Sequence, residues 1–346
     1  MGLQIGELVP RKQIRIEDLK GKIIAVDAFN TIYQFLANIR QIDGTPLMDN
    51  KKRITSHLSG LFYRTTNLMS RGLKLVYVFD GKPPELKKET NKERFERKKE
   101  AEERYNEAKK EGKTDDMFKY SRQNVRLTDE IIEESKKLIR ALGLPVVQAP
   151  GEGEAQAALI AKNEAYAVAS QDYDSLLFGC NKLIQNLTLA KKRKISSGAY
   201  VPVEPEIIDL ENVLNSLQIS HEQLICLGIL AGTDFNPGGV KGIGPKKALV
   251  IVQKYKQPYL IFQAVEKQLL QEGKELEFNW QEIFELFKRP NVNREYRLDF
   301  NDFNENEIKE LLCEQHDFSS ERVVSALEKL KEAKESNKQK DLKQWF

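Results

Sequence analysis

The residues best suited to chemistry in this sequence are acidic side chains that follow apolar segments. Asp27 ends the run KIIAVD, and Asp80 ends KLVYVFD. The other acids come shortly after apolar runs or open a helix, and the full set is Asp27, Asp80, Glu152, Glu154, Asp172, Asp174 and Asp234. If the runs are parallel strands, these carboxylates converge at the carboxyl edge of one sheet, where open sheets bind ligands.

Each acid alone has an ordinary explanation, because an Asp after a strand is commonly a helix cap or turn residue. Seven acids together have no such explanation, because carboxylates gathered at one edge would repel one another at low dielectric unless cations neutralise them. Two divalent ions would do this. They would also activate a water for in-line attack and stabilise the leaving oxygen of a phosphodiester.

The elements that must position these acids alternate along the chain. Apolar runs predict strands at 22–26, 73–79 and 165–169, with a weaker one at 145–147. Amphipathic segments predict helices at 30–39, 56–70, 129–142 and 152–163. This alternation predicts an α/β fold with a largely parallel central sheet flanked by helices.

Composition narrows the possible metals and partners. The three cysteines and three histidines are scattered, which excludes a disulfide framework or a CxxC zinc site and favours Mg²⁺, with Mn²⁺ as a substitute. A net charge of +3, from 55 basic and 52 acidic residues, excludes a simple polycation, so nucleic acid would have to bind at local patches. No apolar run is long enough for a membrane span, and we expect an intracellular protein without a membrane partner.

A highly charged insertion, residues 82–128, follows Asp80. Lys87, Asn91, Arg94 and Lys98 are spaced by four, three and four residues, which aligns them on one face of a helix that could bind phosphate. A second basic segment includes Arg122 and Arg126. The alternative is a solvated helix with local ion pairs, but its position next to Asp80 favours phosphate binding.

The segment GIGPKKA, 242–248, has the composition of a phosphate-binding turn. Gly242 and Gly244 allow close backbone approach, Pro245 starts a helix with free amides, and Lys246 and Lys247 add charge. A capping box at Ser220 and Gln223 starts the preceding helix, so two helices would flank the turn. A plain loop before a helix is the alternative.

Five segments together resemble the signatures of the flap endonuclease family, in its archaeal form, in order and spacing. They are VDAFNTIYQFL, VYVFDGKPPELK, APGEGEAQAA, SQDYDSLLFG and GTDFNPGGVKGIGPKKAL, and the resemblance covers essentially the whole chain. It implies a monomeric structure-specific 5′ nuclease for replication and repair, with 5′-3′ exonuclease activity as well. Its substrates would be 5′-flap, double-flap and nicked DNA. The enzyme would work in the cytoplasm or nucleoid if archaeal and in the nucleus if eukaryotic.

The resemblance also implies an organisation of the chain. Residues 1–330 would be one nuclease domain with an N-terminal region (1–105), the arch insertion (82–128), an internal region (129–235) and a helix-hairpin-helix-like module for duplex DNA (220–260). Residues 331–346 would be a flexible tail.

Roles for individual residues follow from the same resemblance. Asp27, Asp80, Glu152 and Glu154 would hold one metal ion, and Asp172, Asp174 and Asp234 the other, with some shared. Lys87 and Arg94 would be catalytic residues that contact the scissile phosphate from a helical arch. The module around Gly242 would also bind K⁺. Tyr33 would stack on a base, although a tyrosine in a helix ordinarily belongs to the core. Further DNA contacts implied by the resemblance are Lys98, Arg122 and Arg126, and a 3′ flap would contact Thr55 and Arg64.

Two alternatives remain open at this point. A non-catalytic DNA-binding protein on the same scaffold would be expected to lack one of the carboxylates, and none is missing. A related 5′ exonuclease or bubble-cutting nuclease would share the site. The absence of a long spacer between the insertion and Glu152 favours the flap branch.

The last eight residues, QKDLKQWF, place Leu342, Trp345 and Phe346 on one side of a helical turn. Aromatic residues in a charged tail are typical of a partner site, and the alternatives are a chance apolar terminus or a tail that folds back on its own domain. The segment resembles the sliding-clamp-binding peptide of replication enzymes, with Gln339 in a polar pocket.

Overall fold

The apolar runs predicted as strands form the centre of one sheet. The computed structural model describes residues 3–41, 43–188, 192–194 and 200–343. In that part of the chain seven strands form one sheet. They are β1 (Lys12–Gln13), β2 (Ile23–Asp27), β3 (Lys74–Phe79), β4 (Val146–Gln148), β5 (Ala167–Ala169), β6 (Lys182–Gln185) and β9 (Glu206–Asp209). Their order in the sheet is β1-β9-β6-β5-β2-β3-β4. Two further strands, β7 (Lys192–Lys194) and β8 (Tyr200–Pro202), pair antiparallel with each other.

The largely parallel sheet predicted from the sequence is confirmed. β2 pairs in parallel with β3 and β5, β3 with β4, and β5 with β6. The antiparallel edge formed by β9 and β1 was not predicted. The chain runs from β2 through β3 to β4 on one side and then begins β5 on the other side. The strand order therefore reverses between β2 and β5, and such a switch point opens a crevice at the carboxyl ends of the strands.

Helices cover both faces of the sheet. In the described ranges they are α1 (Ala28–Asn38), α2 (Ser56–Ser70), α3 (Lys88–Glu111), α4 (Thr114–Gln123), α5 (Asp129–Ala141), α6 (Gly153–Asn163), α7 (Asp174–Leu177), α8 (Leu210–Leu217), α9 (His221–Ala231), α10 (Pro245–Tyr255), α11 (Pro258–Gln271), α12 (Trp280–Lys288), α13 (Glu305–Lys309) and α14 (Ser320–Lys343). The four helices predicted before residue 164 agree with these bounds to within two residues. None of the described helices combines the length and apolarity that crossing a bilayer requires.

Alternate residues of the central strand β2 contribute to two separate cores. Ala25 packs in the cluster that includes α6, α9 and α12. Ile24 and Val26 point to the opposite face and pack with α1, α2, α5 and α14. Because both faces are buried, the strand reads as an uninterrupted apolar run, and its one acid, Asp27, stands where the strand leaves the core.

The arch insertion is helical and lies in the connection between β3 and β4. It consists of α3 and α4, and α3 ends at Gly112, which has the left-handed φ of +68° that favours glycine. At the other end of the chain, α14 packs on α2 through the buried side chains of Val323, Leu327 and Leu330. α14 continues to Lys343, so a segment that the sequence predicted as a flexible tail has a helical backbone.

Two histidines that are far apart in sequence lie close together in the fold. His57, on α2, contacts Glu134 with its Nε2 at 3.1 Å, and His316 reaches the same carboxylate at 3.0 Å. The Nδ1 of His316 lies 3.1 Å from Asp49. These contacts join α2, α5 and the segment before α14 at a site separate from the seven acids.

Candidate metal centre and nucleic-acid interface

Asp27 lies at the strand reversal between β2 and β5. One of its carboxylate oxygens accepts a hydrogen bond of 3.0 Å from the backbone N–H of Asn30, so it caps α1. The other oxygen accepts from the hydroxyl of Ser170 at 3.2 Å, at the end of β5. Asn30 in turn donates its side-chain amide to Asp172 at 2.8 Å. Asp27 is thus both a helix cap and part of an acidic cluster.

Asp80 and the acids of α6 meet next to Asp27. The backbone N–H of Gly153 donates to the carboxylate of Asp80. A Cβ at position 153 would overlap that carboxylate, so the approach requires glycine. Glu152 is the N-cap residue of α6, and Glu154 lies in its first turn. The helix N-terminus therefore brings both carboxylates to the edge where β3 ends.

Asp174 and Asp234 complete the cluster. Asp174 begins α7, is only 3% exposed, and has a buried oxygen, Oδ1, with no hydrogen-bond partner in the described structure. Asp234 follows α9 in a turn fixed by the hydrogen bond from the Thr233 hydroxyl to Asn236. A buried carboxylate oxygen without a donor is a group that a metal ion would satisfy.

The acids of the cluster oppose one another's ionisation. Burial, together with the charge of Asp80, raises the pKa of Asp27 to about 8. Burial and Glu152 raise the pKa of Asp80 to about 6, and burial with Asp234 and Asp172 raises that of Asp174 to about 7. The pKa of Glu154 is also raised, chiefly by burial and then by Asp174. Bound cations would relieve this cost.

Two cations of the arch already contact the cluster. The Lys87 ammonium forms an ion pair with Glu152 and lies 3.6 Å from Asp234. The Arg94 guanidinium lies 2.8 and 2.7 Å from the two carboxylate oxygens of Asp234. Burial alone would raise the pKa of Asp234, but Lys87 and Arg94 outweigh it and lower that pKa. Of the stripe predicted from the sequence, Lys87 and Arg94 therefore contact the acids.

The donor set fits hard divalent ions, because it consists of carboxylates without cysteine or histidine. Nevertheless, within the described residues no three His, Cys, Asp or Glu side chains are arranged around one point as ligands of a metal ion. The acids are gathered, but Lys87 and Arg94 pair with Glu152 and Asp234.

Other predicted arch residues contact protein groups. The ammonium of Lys98 donates to the hydroxyl of Tyr33 at 2.9 Å and lies 4.9 Å from the centre of its ring. Tyr33 is half-buried and packs against the edge of the core that includes α1 and α2. Arg122 donates to Asn38 on α1, and Arg126 pairs with Glu102 across the arch. Their roles in DNA binding stay predictions.

The two helices predicted around the glycine turn are present, and their binding of duplex DNA stays a prediction. Ser220 and Gln223 form the expected capping box at the start of α9. Gly242 has a φ of +87°, Gly244 caps α10, and Pro245 is its first residue. A groove of about 1120 Å³ runs from Asp172 to this turn and is lined by Gly242, Gly244, Lys246 and Lys247. Lys246 pairs with Glu7 at 3.0 Å across this groove.

The remaining predicted residues lie away from the cluster. Thr55 precedes α2 and is 5% exposed, and Arg64 is half-buried on α2, where burial lowers its pKa. Their contact with a 3′ flap stays a prediction. Gln339 and Leu342 belong to α14, of which the structure describes only the backbone at these two positions. Trp345 and Phe346 lie outside the described residues.

The hydrogen-bond donors that hold the acids were not predicted from the sequence. The hydroxyls of Ser170 and Ser175 both lie 3.4 Å from Glu154, and Thr90 donates its hydroxyl to the backbone carbonyl of Asp234 at 2.7 Å. Asn30 and Ser170 stand inside the segments that carry Asp27 and Asp172. Their proximity to those acids was a usable signal, whereas nothing in the sequence marks Thr90.

The sequence of this chain matches known protein families and relatives over its whole length. The XPG N-terminal domain matches residues 4–101 and the XPG I-region matches residues 143–234. Flap endonuclease 1 of Pyrococcus furiosus is 53% identical over 348 aligned residues, covering 100% of this chain and 99% of the relative. That of Sulfolobus acidocaldarius is 50% identical, covering 99% and 100%. This chain belongs to the flap endonuclease family.

Solved structures agree with the assignment. The flap endonuclease-1 structure from Methanococcus jannaschii is similar with a TM-score of 0.74 at 38% identity, covering 96% of this chain and 98% of that one. The catalytic core of Rad2 in complex with a DNA substrate shares the fold with a TM-score of 0.70 at 24% identity, covering 94% and 97%. The present flap endonuclease is thus a structure-specific nuclease, and nucleases of this family generally use divalent metal ions.

Proposed function

We propose that this flap endonuclease hydrolyses the phosphodiester at the junction of duplex and 5′ single strand at the carboxylate cluster, with two divalent cations. The main support is the unpaired, buried oxygen of Asp174 among acids whose pKa values are raised. The cations, Mg²⁺ or Mn²⁺, would supply an activated water and stabilise the leaving oxygen. One would be held by Asp27, Asp80, Glu152 and Glu154, the other by Asp172, Asp174 and Asp234.

The arch would position the scissile phosphate. Lys87 and Arg94 lie at the cluster, next to the place where negative charge would develop in the transition state. Tyr33, on the first helix after Asp27, would stack on the base next to the cut once Lys98 leaves its ring. Lys98 could then bind the phosphate of the passing strand.

The glycine turn before α10 would hold the duplex through its phosphates. Its backbone amides at the helix start, with Lys246 and Lys247, contact the backbone without reading bases. Binding should therefore be independent of sequence and weaken steeply with salt. The carbonyl of Gly242, which now accepts from Lys247 at 3.0 Å, would be among the main-chain oxygens available to K⁺.

A comparison of DNA substrates with one enzyme preparation tests this function. We expect fastest cleavage of 5′-flap and double-flap DNA, slower cleavage at a nick or gap, and products with a 5′-phosphate and a 3′-hydroxyl. EDTA should abolish cleavage, and excess Mg²⁺ should restore it, because the carboxylates need cations to act. Faster cleavage of a bubble than of a flap would instead place the enzyme with the bubble-cutting nucleases, and cleavage in EDTA would exclude the metal mechanism.

We also propose that the C-terminal peptide binds the sliding clamp. Its support is the sequence pattern of Gln339, Leu342, Trp345 and Phe346, together with the helical backbone of α14, which continues to Lys343. Two adjacent aromatic side chains are a typical anchor for an apolar pocket.

Deleting residues 339–346 should abolish stimulation of cleavage by the clamp and leave cleavage of a free flap unchanged. The reason is that the peptide lies more than 100 residues after the last acid of the cluster in sequence and only tethers the enzyme. Flap cleavage with and without the clamp measures this. Trp345→Ala with Phe346→Ala should match the deletion, and Lys340→Ala should match the wild type. A truncated enzyme that still binds the clamp and responds to it would contradict the proposal.

A further inference from the structure

The arch is docked on the nuclease body by side chains that use the cluster's own carboxylates. Lys87 pairs with Glu152, and Arg94 contacts both oxygens of Asp234. Both acids belong to the set that would hold the divalent cations. One carboxylate cannot give its full charge to an arch cation and to a metal ion at once, so the two compete.

A second docking contact covers the ring that would receive a base. Lys98 lies one helical turn after Arg94 on α3, and its ammonium sits over Tyr33. Lys87, Arg94 and Lys98 are therefore engaged on the body along one face of the arch. In this docked position none of the three presents its charge to a phosphate between arch and body.

One arch contact is insensitive to cations. Thr90 is 3% exposed, and its hydroxyl donates to the backbone carbonyl of Asp234 rather than to its carboxylate. A metal ion on the Asp234 side chain leaves this hydrogen bond intact. The arch thus has a neutral anchor at its base, and the charged contacts of Arg94 and Lys98 lie beyond it.

We propose that divalent cations release the arch from its docked position, so that metal binding makes Lys87 and Arg94 available for phosphate and uncovers Tyr33. This inference rests on the proposed metal site. Cations at Glu152 and Asp234 displace the ammonium and the guanidinium, and the arch beyond Thr90 separates from the body. Because the two equilibria are linked, undocking of the arch must raise the affinity for cations by the same factor by which bound cations raise the equilibrium constant for undocking.

Binding of Mn²⁺ without DNA, followed by the electron paramagnetic resonance signal of the free ion, tests the competition. We expect Lys87→Met to bind Mn²⁺ about tenfold more tightly than the wild type and Arg94→Met about threefold, since Arg94 is the more exposed partner. Lys99→Met removes the same charge from an exposed position on the same helix and should bind as the wild type does.

Hydrogen exchange of the wild type provides a readout that does not depend on the folding of a variant. Adding Ca²⁺ should speed amide exchange in residues 91–98 and leave residues 85–90, at the Thr90 anchor, unchanged. The Arg94→Met arch should exchange faster already without Ca²⁺. Slower or unchanged exchange on adding Ca²⁺, or equal Mn²⁺ affinity of all variants, would overturn the inference. A wild type that binds no Mn²⁺ would instead refute the proposed metal site.

Discussion

Asp174→Ala should reduce cleavage of a 5′-flap substrate in excess Mg²⁺ by about a thousandfold or more. A divalent cation contributes several kcal/mol of transition-state stabilisation, and about 1.4 kcal/mol corresponds to a factor of ten in rate. Asp174 provides a buried carboxylate oxygen that the protein leaves without a hydrogen bond. Single-turnover cleavage at saturating enzyme measures the loss in the chemical step.

The same variant should be folded, which separates loss of chemistry from loss of structure. Because burial and the neighbouring acids raise the pKa of Asp174 to about 7, its ionised form destabilises the metal-free protein above that pH. A carboxyl group with a raised pKa contributes most stability at low pH and loses it as the pH rises through 7. At pH 8 without metal, Asp174→Ala should therefore unfold at the same temperature as the wild type or higher. Cleavage at the wild-type rate would show that Asp174 is not a metal ligand.

Arg94→Ala should lower turnover on a 5′ flap by about a hundredfold to a thousandfold, the usual effect of removing one group that stabilises developing charge. Affinity for duplex DNA should change less than about twofold, because the duplex would bind at the glycine turn before α10. Arg94 lies at the carboxylates of the cluster, about 2.7 Å from Asp234. Quench-flow kinetics and fluorescence anisotropy measure the two quantities.

Two further variants make this result specific. Lys99→Ala, on the exposed side of the same helix, should cleave nearly as well as the wild type. Arg94→Lys keeps the charge but loses the planar guanidinium, so it should recover only part of the rate. The loss in Arg94→Ala should persist at saturating Mg²⁺, since removing Arg94 frees Asp234 for the cation. A variant that lost duplex affinity but kept its turnover would contradict the placement of Arg94 at the scissile phosphate.

The positions of the acids could be predicted because strand geometry determines them. Asp27 ends one buried parallel strand and Asp80 follows another, so the positions of the apolar runs were enough to predict that both acids lie at one edge of the sheet. The stripe of Lys87, Arg94 and Lys98 could be predicted from helical spacing. The contacts of these cations with the acids and with Tyr33 depend on the angle between the arch and the body. Residue spacing along the helix does not predict that angle.

Other features depend on contacts between distant segments. The antiparallel strand β9 begins 37 residues after β5 ends and pairs with β6 and β1 near one edge of the sheet, and its short run of four residues gives a weak pattern. His57 and His316 looked unrelated, yet both contact Glu134. Thr90 resembles any threonine of a charged helix until the fold places it against the carbonyl of Asp234.

α14 is a long helix whose backbone continues to Lys343. Its 24 residues, at a rise of about 1.5 Å each, span about 36 Å. Its first half packs on α2 through Val323, Leu327 and Leu330, and Lys334 pairs with Asp302. A helical spacer sets a direction as well as a distance, whereas a coil of equal length samples all directions. If the C-terminal peptide binds the sliding clamp as proposed, the clamp would be steered toward the side of the enzyme to which α14 points, and this would restrict how the ring and the nuclease share one DNA duplex.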